Sequence, residues 1–404
     1  MTTRTPESQF LIAGGGIGGL SAAIALARQD LSVTVLERSD FQEESGAGIQ
    51  LGPNATRLLE RLGLLEAIEP VAFRPAAIFV FDGLSGKRLA EIPLGTYAEA
   101  RYGAPYLTLH RADLHAALHA ACKAAPGVTL RGGFDLTGVE ELDASVLDAS
   151  VKAIAADGRV AAAPALIGAD GIWSEVRKLI APDARLLFTG ATAWRTLLPR
   201  GDLTAPFDAP VVSIWLGPDT HIVHYPVRGG KELNVVAVTE GGSDTRGWNQ
   251  AGDAAALRSA FAGWCKESKS LLERAPGWRC WSLYRLTGLP SWTSGRITLL
   301  GDAAHPILPY LAQGAALAIE DAVALAKTLA ESGGDALRGF PLYEAMRKER
   351  AARVAERSQR NGKHYHMAGP MRLARNLVLR SRRGERLLGR LDWLYADRGE
   401  ATLD

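Results

Sequence analysis

The segment Phe10–Glu37 constrains the fold of this 404-residue chain most, because only one supersecondary unit satisfies it. Phe10–Ala13 is an apolar run of the kind that forms a short buried strand, and it runs directly into Gly14, Gly15 and Gly16. Gly18 and Gly19 follow, and then the helical pattern Leu20, Ile24, Leu26. In the Gly14, Gly16, Gly19 spacing the first glycine permits a tight turn. The second lets backbone approach a pyrophosphate, and the third lets helix pack on strand. An anion would then sit at the helix N-terminus. Ser32–Leu36 alternates as a second strand and ends in Glu37, about twenty residues after the glycines, where a carboxylate can accept both ribose hydroxyls of an adenosine and repel a 2′-phosphate. A glycine run alone occurs in many unrelated chains. Here strand, spacing, helix and acid agree.

Two further motifs have the same character. "GADG" occupies Gly168–Gly171 and "LLGDAAHP" Leu299–Pro306. Asp302 follows the apolar strand Ile297–Leu300, so its carboxylate emerges at a strand's carboxyl end, where open α/β sheets place ligands. Pro306 and Pro309 fix a loop, and Gln313-Gly314-Ala315 opens a helical run from Ala316 to Leu329. Also notable are "GAGIQLGPN" at Gly46–Asn54, "LHRADLHAAL" at Leu109–Leu118 and "PYLAQGAALAIEDA" at Pro309–Ala322.

On these motifs nearly the whole chain resembles the single-component flavoprotein aromatic hydroxylases related to salicylate, 3-hydroxybenzoate and 6-hydroxynicotinate hydroxylases. The resemblance implies FAD, with the first motif on its ADP half, Gly168–Gly171 near flavin and nicotinamide, and Gly301-Asp302 on the ribityl and pyrophosphate region. The implied cofactor set is Gly14, Gly16, Gly19, Glu37, Arg38, Gly48, Arg111, Asp170, Gly301, Asp302, Gln313, Gly314 and Ala315. Arg111 would reach the FAD phosphate or ribityl chain, and the N–H groups at Gln313–Ala315 would face the flavin edge that gains negative charge on reduction.

The fold expected is α/β: a Rossmann-like FAD-binding domain, an inserted antiparallel-sheet substrate domain and a helical C-terminus. Val211–Leu216, His221–Val227 and Leu233–Thr239 read as strands of that sheet. The expected boundaries are 1–71, 101–184 and 284–340 for the FAD domain, 72–100 and 185–283 for the substrate sheet, and 341–404 for the C-terminal helices. Ala144–Ala163 reads as a loop and a weak hairpin. Arg347–Arg390 is arginine-rich at helical spacing, better explained by a solvated helix face than by nucleic acid or membrane, and "HYHMAGP" at His364–Pro370 breaks those helices to touch a neighbouring subunit or the flavin domain.

A net charge of +2 supplies no broad basic field for nucleic acid. Cys122, Cys265 and Cys280 are widely spaced, as suits incidental thiols in a reducing compartment. Met1–Gln9 lacks a signal core and no run is long enough for a membrane span, so a cytoplasmic monomer or homodimer is expected. His115 and His119 are four apart on an expected helix, but no third ligand accompanies them and no metal is expected.

No second strand–glycine–helix unit is present to hold a nicotinamide nucleotide, so NAD(P)H, with NADH slightly favoured, would bind transiently in a groove, as in the resembled family. Oxygen there reacts at flavin C4a to give a hydroperoxide that attacks an electron-rich ring, which calls for a base on the substrate hydroxyl. His221, Val223 and Tyr225 share one strand face, whereas His224 points the other way. The imidazole and phenol lie roughly 13 Å apart along the strand and could flank a small ring. The resembled hydroxylases use a His and a Tyr in this relation. Substrate contacts are expected from Gln50, Arg195, Tyr225 and Pro309. Gln50 departs from the histidine of the 6-hydroxynicotinate enzymes and favours a hydroxybenzoate-type ring. Arg195 and Arg228 are candidates for a substrate carboxylate, each readable also as a surface ion-pair former, and Trp194 and Trp215 for an aromatic wall. His305 reads as a structural loop residue. The expected function is therefore hydroxylation of a small hydroxylated aromatic acid by FAD, NAD(P)H and O2. An N-heteroaromatic hydroxylase, a flavin reductase or dehydrogenase without oxygen insertion, and a redox sensor remain as alternatives.

Overall fold

The first strand, Phe10–Ala13, lies between Val33–Leu36 and Ala165–Gly168, all parallel and all buried. Continuous apolar runs of this kind belong to sheets covered on both faces. Ile297–Leu299 and Val128–Arg131 extend the layer in parallel, and Thr293–Ser294 adds a short antiparallel edge, giving six strands. Their register matters for function: Ala13 pairs with both Leu36 and Gly168, and Gly168 pairs with Leu299. The strands therefore end level with one another. Gly14, Glu37, Ala169-Asp170 and Gly301-Asp302 all leave the sheet at the same edge.

The computed structural model describes residues 8–41, 47–141, 151–244, 247 and 249–397. Gly46 and 144–150 of the expected loop lie outside them, while the hairpin expected beyond that loop is present as Val151–Ala155 and Val160–Ala163.

The second layer is an eight-stranded sheet. Its order is Gln250–Ala251, Arg279–Thr287, Arg185–Pro199, Glu232–Glu240, Thr220–Val227, Val212–Gly217, Ala77–Asp82 and Arg88–Pro93. The expectation of an antiparallel sheet needs one correction, since Val212–Gly217 runs parallel to Ala77–Asp82. The intervening 83–211 return the chain by a long excursion through the first layer, and only such a crossover allows a parallel pair. Gly48–Leu51 and Leu107–His110 form a two-stranded ribbon joining the layers: the Gly48 amide donates to Asn234 Oδ1 (2.8 Å), and Thr108 Oγ1 donates to the Pro226 carbonyl (2.6 Å).

The helix expected from Ala316 runs from Gly314 to Glu331 and is buried along most of its length. It packs beside the first helix, Ile17–Ala27, through small residues: a Cβ on Gly18 would lie 3.3 Å from that of Ala318, and one on Gly301 3.2 Å from the same atom. A third helix, Ala336–Tyr365, crosses behind and anchors through buried Arg347. The break at His364–Pro370 is real, but it turns back onto this chain's own second sheet.

Candidate functional site

Three glycine positions show how the first loop is built. Gly14 has φ +102°, and a Cβ there would lie 2.4 Å from the Ala169 carbonyl oxygen. A Cβ on Gly19 would lie 1.9 Å from the Gly14 carbonyl oxygen. Both glycines are demanded by packing. At Gly16 a Cβ would meet nothing within 4 Å. Gly16 precedes the first helix without any side-chain cap, so no capping side chain takes the helix's first N–H groups. Gly314 likewise has nothing near its missing Cβ, and its helix also starts without a side-chain cap. Two uncapped helix starts, brought together through Ala318 beside Asp302, form a cradle for a ligand with anionic parts. The set fits the phosphates and reducible ring of FAD.

Glu37 sits at the end of its strand as expected, but its carboxylate already serves the loop. Oε2 accepts from the Gly15 amide (2.7 Å), and Oε1 accepts from the amide and hydroxyl of Ser39 (both 2.9 Å). A carboxylate offers about four acceptor sites. One ribose hydroxyl can be accepted without releasing a partner, rather than the two given by the sequence reading. Arg38, next in the chain, is exposed. His115 bonds the Gly15 carbonyl at 2.7 Å and His119 stacks on Phe41, so this pair braces the glycine loop.

Asp170 accepts from the Ser174 hydroxyl and from the amides of Glu175 (2.7 Å) and Val176 (3.1 Å), capping the helix Glu175–Ile180. Its contribution is to the shape of the "GADG" turn. Arg177 on that helix was not singled out by any sequence signal. Its buried guanidinium donates to the carbonyls of Ala303 (2.8 Å), Asp302 and Ile172, tying the second motif to the third. Burial pushes the Asp302 carboxyl up, against the pull of His305, Arg111 and Arg177. Arg111 is thus close enough to Asp302 for their charges to interact, and its amide donates to the Ala47 carbonyl (2.7 Å). Gly301 takes φ +62° and donates to Asp321. His305 bonds the same carboxylate at 2.6 Å, as a loop residue should. Gln313 is buried, and its Oε1 accepts from Asn54 Nδ2 (3.0 Å), which also reaches Glu320 (2.7 Å). Ala315 follows on the first turn of the helix.

The second sheet supplies the other wall. In Thr220–Val227 every residue is buried except Val223, which is only partly so. Its cross-strand partner Val236 is also partly open, and Val236 pairs with Arg195. Directly paired residues share a sheet face, so His221, Val223, Tyr225, Val236 and Arg195 face the same way. The face opens between the imidazole and the phenol. Tyr225 abuts Gly48, whose missing Cβ would lie 2.8 Å from the ring. Gln50 accepts from the Tyr106 hydroxyl (2.8 Å) and also hydrogen-bonds Tyr225. Burial raises the Tyr225 phenol's pKa, and Gln50 opposes the rise as an amide donor would. At the other end His221 meets the rings of Tyr310 and Tyr365 at 5.4 and 5.3 Å. Burial, and then His366, hold the His221 imidazole well below its ordinary pKa, hence neutral at pH 7.

Arg195 lies over the Trp281 ring (5.3 Å) and donates to Asn249 Oδ1 (3.3 Å). A cavity of about 130 Å³ runs from Trp281–Tyr284 across Ile172 and Trp173 to Asp302 and Pro306–Pro309. Pro309 thus lines the space between cofactor turn and sheet. The remaining aromatic and basic candidates lie elsewhere. His224 faces the opposite side and accepts from Trp215 Nε1 (3.0 Å). Trp194 and Trp215 share that opposite face, packed in a core with Phe207, Trp264 and Trp278, so they form no site wall. Arg228 sits in a surface turn, paired with Glu232 at 3.3 Å.

The chain matches known proteins over nearly its whole length. A family described as "FAD binding domain" matches residues 7–358. The chain is 36% identical over 395 residues to a 3-hydroxybenzoate 6-hydroxylase of Polaromonas naphthalenivorans (strain CJ2), covering 98% of this chain and 97% of that one. It is 38% identical over 363 residues to a 6-hydroxynicotinate 3-monooxygenase of Bordetella bronchiseptica, covering 88% and 91%. Among solved structures it superposes with a TM-score of 0.83 on a variant of Klebsiella pneumoniae HpxO complexed with FAD, at 25% identity over 97% of this chain and 99% of the other.

Proposed function

Because the chain belongs to the FAD-binding-domain family and is a flavoprotein aromatic monooxygenase, we propose that it hydroxylates a small hydroxylated aromatic acid of the hydroxybenzoate type, using NAD(P)H and O2. The observation that carries this reading is the open sheet face with His221 at one end, the Tyr225–Gln50–Tyr106 phenol and amide cluster at the other, and Arg195 in the row between. An aromatic hydroxy acid has a ring, an acidic hydroxyl and a carboxylate. The face offers apolar valines, a neutral base and a buried guanidinium.

Gly14, Gly16, Gly19, Glu37, Arg111, Gly301, Asp302, Gln313, Gly314 and Ala315 would hold FAD, with Gly48, Arg38 and Asp170 shaping its borders. Bound FAD would supply hydride acceptance from the nicotinamide and activation of oxygen. The protein's own part is to orient the ring, exclude water and move a proton. A neutral His221 takes the proton of the substrate hydroxyl, which makes the ring more nucleophilic, while Tyr225 donates a hydrogen bond to the substrate. We read 1–71, 101–184 and 284–340 as the cofactor region, 72–100 and 185–283 as the substrate sheet, and 341–404 as the C-terminal helices. The resemblance to a 6-hydroxynicotinate 3-monooxygenase makes a hydroxylated N-heteroaromatic acid the second reading.

The test is NADH and NADPH oxidation by the FAD-loaded enzyme against 3-hydroxybenzoate, salicylate, 3-amino-4-hydroxybenzoate and 6-hydroxynicotinate under ¹⁸O₂. One of these should stimulate oxidation and yield a product carrying one ¹⁸O. Stimulated oxidation without label in any product would make the protein a reductase and end this proposal. His221→Gln and Tyr225→Phe should slow hydroxylation by about 10²- to 10⁴-fold, as for loss of a positioned proton-transfer group, with more of the NADH ending as hydrogen peroxide.

A further inference from the structure

The helix Ala336–Tyr365 ends at His366, 145 residues from His221 in sequence, yet the two imidazoles meet: His221 Nδ1 and His366 Nε2 are 2.8 Å apart. The other nitrogen of His366, Nδ1, lies 2.7 Å from Glu240 Oε1. His221 and His366 are buried, with 2% and 7% of their surface exposed, whereas the Glu240 side chain is 51% exposed. A line of three titratable groups therefore leads from the open sheet face to solvent. Nothing in the reaction as derived above uses its outer two members.

We propose that His366 is a positioning residue for His221 and, with Glu240, a relay that carries the substrate's proton to the surface. This rests on the reading of His221 as the substrate-facing base. The carboxylate accepts only, so it fixes the proton of His366 on Nδ1. His366 Nε2 is then a bare acceptor and holds the proton of His221 on its Nδ1, leaving His221 Nε2 bare. That is the tautomer a base requires, set by second and third groups. When the substrate hydroxyl yields its proton to His221 Nε2, the Nδ1 proton passes to His366 Nε2. The His366 Nδ1 proton then passes to Glu240 and on to water. One proton enters and one leaves, and no electrons move.

Among the described residues, the titratable rings packed against the pair are the phenols of Tyr310 and Tyr365, both raised to about 12 by burial. They stay neutral across the working range and cannot compete for the proton. Glu240 contributes to the Tyr310 shift, consistent with a carboxylate close to this cluster. Arg375 donates to the carbonyls of His364 and Tyr365 and fixes the helix end that presents His366.

Two readouts on the oxidised FAD holoenzyme test the relay. In protein labelled with ¹⁵N-histidine, without substrate, His366 should carry its proton on Nδ1 and His221 on Nδ1. Glu240→Ala should relax both preferences. A parent protein with His366 protonated on Nε2 would overturn the proposal. Second, 3-hydroxy-4-nitrobenzoate reports ionisation of its hydroxyl by absorbance when bound. His366→Gln and Glu240→Ala should lower its ionisation constant about 10- to 100-fold, the range for partners that orient an imidazole, with FAD retained. If both variants ionise the probe as the parent does while His221→Gln does not, His366 only tethers the helix end. If His221→Gln also matches the parent, the base assignment itself fails and the relay goes with it. Glu240 is on the surface, so its variant keeps the test open should His366→Gln fold poorly.

Discussion

Glu37 and His224 show how much a single side chain's partners decide. The Glu37 carboxylate supports the Gly15 amide and Ser39 before it meets any ligand. Glu37→Ala should weaken FAD binding by about 1–3 kcal/mol, the scale of charge-assisted hydrogen bonds, measured as the FAD dissociation constant of refolded apoprotein. Glu37→Gln, which keeps an acceptor, should lose less. An unchanged constant in Glu37→Ala would remove the residue from the cofactor set. Burial holds the His224 imidazole down to about 3, so the folded state binds fewer protons there than the unfolded chain. A histidine lowered in this way contributes stability that is complete above its unfolded pKa near 6.5 and is lost progressively as pH falls from there toward 3. The slope from this one group approaches about 1.4 kcal/mol per pH unit. His224→Gln keeps an acceptor for Trp215 without the titration and should flatten the acid side of a urea-unfolding profile. Activity should be spared, because the residue lies on the face away from the site.

Among the elements, the two uncapped helix starts separate packing from ligand binding. Gly19→Ala puts a methyl where the Gly14 carbonyl already lies, so the first helix must shift off its strand and the melting temperature should fall. Gly16→Ala meets open space in the protein alone. It should leave the apoprotein's melting temperature nearly unchanged and weaken FAD binding, since the added methyl occupies the approach to the helix N-terminus. Equal losses of stability in both variants would contradict this division. Behind the other helix start lies a buried charge network. Arg347 pairs with Glu320 (2.7 Å) and Asp321 (2.8 Å), Arg350 also reaches Glu320 (2.6 Å), and Asn54 links Glu320 to Gln313. Removing one partner of such a pair leaves a buried charge uncompensated. Arg347→Ala should cost about 3–5 kcal/mol in denaturant unfolding, and a cost below about 1 would show that the network relaxes without it.

At the scale of the molecule, the site is where two sheets and one helix break converge. The three motifs converge on one edge because the strands before them end in register, and the His221 imidazole and Tyr225 phenol share one sheet face because residues two apart share a strand face. The alternation along each strand and the turn after it are local, which is why the Gly14–Gly19 turn, the place of Asp302 just after a strand, the helix from Gly314 and the opposed directions of His221 and His224 were legible in the sequence, whereas the register that brings the motifs level pairs Ala13 with Gly168 and Gly168 with Leu299 across the fold. The chain by itself also dictated that the glycine turn and Asp302 would each follow a strand end and that one strand face would carry an imidazole and a phenol. Periodicity carries no information about partners far away in the chain. Asn54 meets Gln313 across 259 residues, His366 meets His221 across 145, and Arg177 reaches Ala303 across 126. Tertiary packing alone decided that Trp194 and Trp215 would fill a core, that Arg228 would remain in a surface turn, and that Glu37 would share its carboxylate with the loop. The reason is physical: a buried polar group must find a hydrogen-bond partner, and only the folded chain determines which groups are within reach.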